Sequence, residues 1–178
     1  MEGTIYFQIM NLLPDKEIFV QLIQENRKII YKICNSYCIN KDNRDDLAQE
    51  IVYNLWKSYN NFDPAFKFST WMYRIALNVA ISFYRNENKS KPYIPFTENL
   101  IVFEDDTAMN IETENNLRLL MQFISQLKEI DKSVMLLYLD DKGYKEIAEI
   151  TGITESNVAT KINRIKDKLK SNFSNALK

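Results

Sequence analysis

Trp71, Arg74, Asn78, Ser82 and Arg85 fall three, four, four and three residues apart, so in a helix they share one stripe. The stripe combines an aromatic ring, two guanidinium groups, an amide and a hydroxyl. That inventory suits gripping phosphates while stacking on or reading exposed bases. Just upstream, Phe62, Phe66, Phe68 and Trp71 crowd around Asp63-Pro64, with Lys67 among them. A connection this aromatic is a poor solvent-facing loop and a good wedge for unstacked bases. The plainer alternative, a solvated helix surface with one half-buried Trp, stays open at this point. Nowhere in the chain is a carboxylate, thiol or basic group arranged as an acid/base or nucleophile pair. There is no histidine either, so an enzyme is the least expected reading.

The elements that must position these residues follow from apolar spacing. Met72, Ile75, Ala76, Val79, Ala80 and Phe83 form the opposite, apolar stripe of the same helix, with Ser69 as its expected N-cap. Before it, a helix from Arg44 is expected, capped by Asn43, with Asp45 and Asp46 in its first turn. Leu47, Ile51, Leu55 and Tyr59 make its inward row, and Gln49, Val52, Tyr53 and Trp56 lie on other faces. Apolar Val52 and Trp56 beside Gln49 and Glu50 point to a surface that meets a protein. Packing of Trp56 into the core is the alternative. A long core helix is expected from Pro14 to Tyr37, with Ile18, Leu22, Ile29, Ile33 and Tyr37 inward and Phe19, Ile23, Ile30 and Cys34 widening the row. Three packed helices complete a first domain.

The second half carries its own signal in YKEIAEITGITESNVATKINRIKDKL. Ala148 is followed by Gly152, Ile153 and Val158, the order of a helix-turn-helix: a small residue for close approach, glycine for the turn, and apolar plugs between the helices. Thr154 caps the second helix, whose buried row is Val158, Ile162, Ile165 and Leu169. Its outer face presents Glu155, Ser156, Asn157, Thr160, Lys161, Arg164 and Lys168. The N-terminal residues of such a face reach base edges in a major groove while the cations hold phosphates. An ordinary helical hairpin with a basic surface is the alternative. Leu117, Leu120, Met121, Ile124 and Leu127 supply a preceding helix face, and SVMLLYL a short apolar segment.

Over 178 residues the net charge is only −1, so no global basic field advertises nucleic acid. Charge is placed unevenly, however: Val158 to Lys178 holds six basic residues and one acid, Glu87 to Ile111 five acids and two lysines. Three glycines, and prolines only at positions 14, 64, 92 and 95, leave an all-helical composition. Residues 1–12 read as an arm or small helix, and Glu87 onwards as a linker with an acid cluster at Glu104, Asp105 and Asp106. The expectation is all-α, with two small helical domains, 1–86 and 112–178, on a flexible linker, 87–111. Two cysteines and no histidine argue against a four-ligand zinc site, and no metal or cofactor is expected. With no signal peptide and no apolar run of membrane-spanning length, a soluble cytoplasmic protein without membrane insertion is expected.

DLAQEIVYNLW followed by NFDPAFKFSTWMYRIALNVAISFYR resembles the second conserved region of bacterial RNA polymerase sigma factors of the sigma-70 family, in the small extracytoplasmic-function group. The helix-turn-helix half resembles the fourth region of the same family. The resemblance implies a protein that binds core RNA polymerase and directs promoter recognition and strand opening. It implies that Lys67, Phe68, Thr70, Trp71, Arg74, Asn78, Ser82 and Arg85 serve the downstream (−10) element and its opening, with Asn78 where the family pockets a flipped base. Glu155, Ser156, Asn157, Thr160, Lys161, Arg164 and Lys168 are the implied contacts to the upstream (−35) element, and Ala159 stands where many members carry a basic residue. Asp46, Leu47, Gln49, Glu50, Val52, Tyr53 and Trp56 are the implied polymerase-docking residues. By resemblance alone, an anti-sigma partner is also implied, and the connector would lie along the polymerase's nucleic-acid channel. The rival readings are a free-standing helix-turn-helix regulator that binds operator DNA and an adaptor that only docks on polymerase.

Overall fold

The computed structural model describes residues 15–38, 40–88 and 111–176. The expected N-terminal arm, Pro14, the body of the linker and its acid cluster lie outside the described residues. Every regular element among those described is helical, and none of these helices is long and apolar enough to cross a membrane. The chain divides into two units, Met1–Ser90 and Lys91–Lys178.

In the first unit, Leu47, Ile51 and Leu55 are shut off from solvent, as their four-residue spacing predicts. They lie on α3 (Lys41–Ser58), which follows α1 (Asp15–Glu25) and α2 (Arg27–Tyr37) and precedes a 3-10 turn (Tyr59–Asn61) and α4 (Phe68–Asn88). Helices α2, α3 and α4 pack against one another, and α4 contributes Met72, Tyr73, Ala76, Leu77 and Ala80 to the shared core. At roughly 1.5–3 kcal/mol for each large side chain fully buried, this row of contacts is what holds α4 in place.

Three boundaries differ from the sequence reading, each for a local reason. The long first helix is broken at Asn26, whose side-chain amide donates to the Leu22 carbonyl (2.8 Å), turning the chain between α1 and α2. Helix α3 begins earlier than Arg44, because Asn40 and not Asn43 is its cap, accepting from the Asp42 amide (3.2 Å). Arg44 instead donates its Nε to the Cys38 carbonyl (3.0 Å) and ties α3 to the end of α2. Helix α4 starts at Phe68, not after a Ser69 cap: the Lys67 carbonyl accepts from the amides of Thr70 and Trp71. It also continues through Asn88, into the stretch expected to be linker.

Cys34 and Cys38 are both buried free thiols in this unit. Burial pushes the Cys34 thiol up to about 12, with Arg44 acting weakly against that shift and Asp45 with it.

The second unit contains α5 (Ile111–Ser125), α6 (Glu129–Leu139), α7 (Tyr144–Thr151) and α8 (Glu155–Ala176). Its core joins Ile124, Val134, Leu137, Ile147, Val158, Ile162 and Ile165. Between α7 and α8 the chain turns at Gly152, whose φ of 73° is the left-handed conformation that favours glycine. Thr154 then accepts from the Asn157 amide (3.3 Å), capping α8 as expected.

Candidate nucleic-acid interface

Helix α4 has two sharply different sides. Met72, Ala76 and Ala80 have no exposed surface, whereas Arg74, Asn78, Ser82 and Arg85 are all exposed. The side chains of Arg74 and Asn78 make no hydrogen bond or ion pair with the described residues. A helix fixed by its apolar side thus holds two uncommitted polar groups one turn apart, rigidly placed for an outside ligand.

Trp71 sits at the border of this face, half-buried. Its ring lies 5.2 Å from Phe62 and 5.3 Å from Phe68, and Tyr59 adds an edge contact at 6.5 Å. The preceding loop is shaped by Asp63, which accepts from the Ala65 amide through its side chain (2.9 Å) and from the Phe66 amide through its carbonyl (3.0 Å). Pro64 occupies the second position of that turn, where its fixed φ fits. The turn projects Phe66, 59% exposed, and leaves Lys67 exposed beside it.

The expected aromatic wedge is therefore divided. Phe66 and Lys67 face outward, while Phe68 and Thr70, each only 9% exposed, are turned inward in the first turn of α4. Phe68 and Thr70, expected to serve the downstream element, thus stand on the inward side of the helix and not on its outward face. Phe68 packs edge-on against Phe62 (5.4 Å, 89°) and supports Trp71 from beneath.

On α3, Asp46, Gln49, Glu50, Tyr53 and Trp56 are exposed and Val52 is half-buried. Leu47, implied by resemblance on the docking surface, is fully buried and belongs to the expected Leu47-Ile51-Leu55 row. Trp56 combines both of its readings. It is 44% exposed, yet its ring meets Phe19 at 5.0 Å and stacks on Tyr59 at 6.3 Å.

On α8, Glu155, Ser156, Asn157, Thr160, Arg164 and Lys168 are exposed. The Thr160 hydroxyl donates back to the Ser156 carbonyl (2.9 Å) and keeps its lone pairs for a ligand. The two central cations differ from expectation. Lys161 Nζ and Arg164 Nη2 each donate to one oxygen of Asp131, both at 2.6 Å. Lys161 is thus held against α6 and is not a free phosphate-gripping group. Arg164 is paired as well, but its side chain is 54% exposed and four of its five N–H donors remain outside that bond. Lys166 donates to the Tyr138 hydroxyl (2.6 Å), a bond that raises its pKa and fastens α8 to the end of α6. Asp131 and Tyr138 escaped the sequence reading because their partners lie some thirty residues away, where no local spacing connects them.

Comparison with known proteins finds matches in both halves. The family model for Sigma-70 region 2 matches residues 22–90, and that for Sigma-70 region 4 matches residues 117–169. The ECF RNA polymerase sigma factor SigW of Bacillus subtilis is 29% identical over 88% of this chain and 89% of its own length. RNA polymerase sigma factor SigV of the same organism is 25% identical over 84% of this chain and 87% of its own. Among solved structures, CnrH in complex with the cytosolic domain of CnrY superimposes with a TM-score of 0.65 at 20% identity, over 89% of both chains. RpoE from Bartonella quintana, in complex with the anti-sigma factor NepR, gives 0.63 at 14% identity over 89% of this chain and 96% of that one. At those identities the two structures speak to the fold.

Proposed function

The chain belongs to the sigma-70 family of RNA polymerase sigma factors, in its extracytoplasmic-function group, and from that premise we propose how its two helical units divide the work of initiation. It binds core RNA polymerase and directs the enzyme to promoters, where the strands are opened. Residues 1–88 dock on polymerase through Asp46, Gln49, Glu50, Val52, Tyr53 and Trp56 of α3. The same unit captures the downstream element through Lys67, Trp71, Arg74, Asn78, Ser82 and Arg85. Residues 111–178 hold the upstream element as duplex, with Glu155, Ser156, Asn157 and Thr160 at base edges and Arg164 and Lys168 on phosphates or bases. Residues 89–110 connect the units, and each supplies an effective concentration for the other.

The observation that carries this reading is the outward, uncommitted Arg74–Asn78 face on a helix whose other side is sealed. A residue that pockets an unpaired base must be both rigid and open, and α4 offers both. Nucleotidyl transfer remains with the polymerase, so the chain acts as a regulator in the cytoplasm, where transcription takes place. CnrH and RpoE are each held by a partner, CnrY and NepR, and a comparable anti-sigma protein is proposed for this chain.

Run-off transcription with purified core polymerase and a pool of randomised promoters tests the function. Promoter-selective transcripts that require both the chain and core enzyme are expected. A chain that footprints duplex DNA alone and never elicits opening with core enzyme would be an operator-binding regulator. A chain that binds core enzyme without selecting promoters would be an adaptor.

A further inference from the structure

Asp131 lies in the first turn of α6, a position that suits a carboxylate, and its side chain is only 9% accessible. One oxygen accepts from Lys161 and the other from Arg164, residues one turn apart on α8. Helices α6 and α8 pack together, so the backbone that carries Asp131 is held by the core. Its two partners are left in different states. The Lys161 side chain is 25% accessible and leans into the protein, whereas Arg164 is 54% accessible.

We infer that Asp131 is a positioning residue for promoter recognition: it withholds Lys161 from the DNA backbone and orients Arg164 toward the duplex. The inference rests on α8 being the upstream-element helix. Two consequences follow from the charges. The carboxylate cancels one of the two cations, which lowers the sequence-independent attraction of α8 for phosphate. Drawing Lys161 onto a phosphate would leave Asp131 with a single partner in a site nearly closed to water, so the lysine stays where it is. Arg164, fastened through one nitrogen, presents the rest of its planar fork in a set direction, as bidentate recognition requires. Non-specific grip is reduced and geometric selectivity gained.

The test uses core polymerase reconstituted with four full-length chains: wild type, Asp131→Asn, Lys161→Gln and the double variant. Closed-complex formation is measured against salt at low temperature on a promoter taken from the selected pool and on an unrelated duplex. The polymerase's own contribution is common to all four and cancels. Asp131→Asn should steepen the slope of log K against log salt by about one, since one further cation reaches phosphate. Its affinity for unrelated duplex should rise several-fold and its promoter preference fall. Lys161→Gln alone should barely change the slope, and in the Asp131→Asn background it should restore the wild-type value. If Lys161→Gln by itself flattens the slope by about one, Lys161 already neutralises a phosphate and the inference fails. It fails equally if Asp131→Asn lowers thermal stability with slope and preference unchanged. Should Asp131→Asn not fold, the single Lys161→Gln slope still decides. If no chain gives promoter preference beyond core enzyme alone, the function reading itself fails, a result distinct from four equal slopes with preference intact.

Discussion

The turn between α7 and α8 offers a clean test of how the helix-turn-helix is made. Gly152 and Gly143 flank α7, and a methyl group built on either meets nothing within 4 Å. They differ in backbone: Gly152 has φ 73°, Gly143 has φ −67° and ψ 155°. Gly152→Ala therefore adds no clash but forces an L-residue into the left-handed region, at a cost of roughly 1–2 kcal/mol. That corresponds to about a 5- to 30-fold larger open population. Gly143→Ser is the control. Its backbone is ordinary for any residue, and serine improves the cap of α7, so stability should be unchanged or rise by roughly 0.5 kcal/mol. Both tryptophans lie in the first unit, so the readout is native-state hydrogen exchange on the full chain at the slowest α8 amides around Val158 and Ile162. Equal protection in Gly152→Ala and wild type would refute the backbone argument. So would a loss as large for Gly143→Ser as for Gly152→Ala.

Leu47→Ala should destabilise the first unit by about 2–5 kcal/mol, as expected for a fully buried leucine, whereas Tyr53→Ala at a 63% exposed position should stay within about 0.5 kcal/mol. Urea unfolding followed by tryptophan fluorescence measures both, and core-polymerase binding should reverse the order, with folded Tyr53→Ala weakened by about 1 kcal/mol or more. Cys34 adds a pH dependence of known sign. Unfolded, its thiol ionises near its ordinary value of 9.0; folded, burial holds the proton up to about 12. Unfolding therefore releases a proton above about pH 9, and stability falls there by at most about 1.4 kcal/mol per pH unit. The stability difference between wild type and Cys34→Ala should be flat below pH 9 and shrink above it. Native protein should resist thiol alkylation at pH 8 until unfolded.

Much of this architecture is written in short-range spacing. Leu47, Ile51 and Leu55 recur every four residues and are the core of α3; the two stripes of α4 are one inward and one outward. The Ala148, Gly152, Ile153 and Val158 order places the turn with its left-handed glycine. What escaped depends on competition or distance. Asn26 spends its amide on the Leu22 carbonyl, a choice that helical periodicity cannot report. Asn40 and Asn43 are equally plausible caps by residue type, and Asn40 is the one that accepts from an amide two residues on. Phe68 and Thr70 share a motif with Trp71 and Arg74 but fall on the inward side once the helix begins at Phe68. Asp131 is the longest-range case, one acid among many until α6 packs on α8.

The Arg74–Asn78 face of α4 is proposed to receive an unpaired promoter base. Permanganate reactivity of promoter thymines, with polymerase carrying wild-type chain or Asn78→Ala, tests it most directly. Losing the contacts to one captured base is worth roughly 1–3 kcal/mol. Asn78→Ala should therefore form closed complexes with near wild-type affinity while the reactive thymines diminish about fivefold or more. Undiminished opening by a folded Asn78→Ala chain would refute that role for the Arg74–Asn78 face.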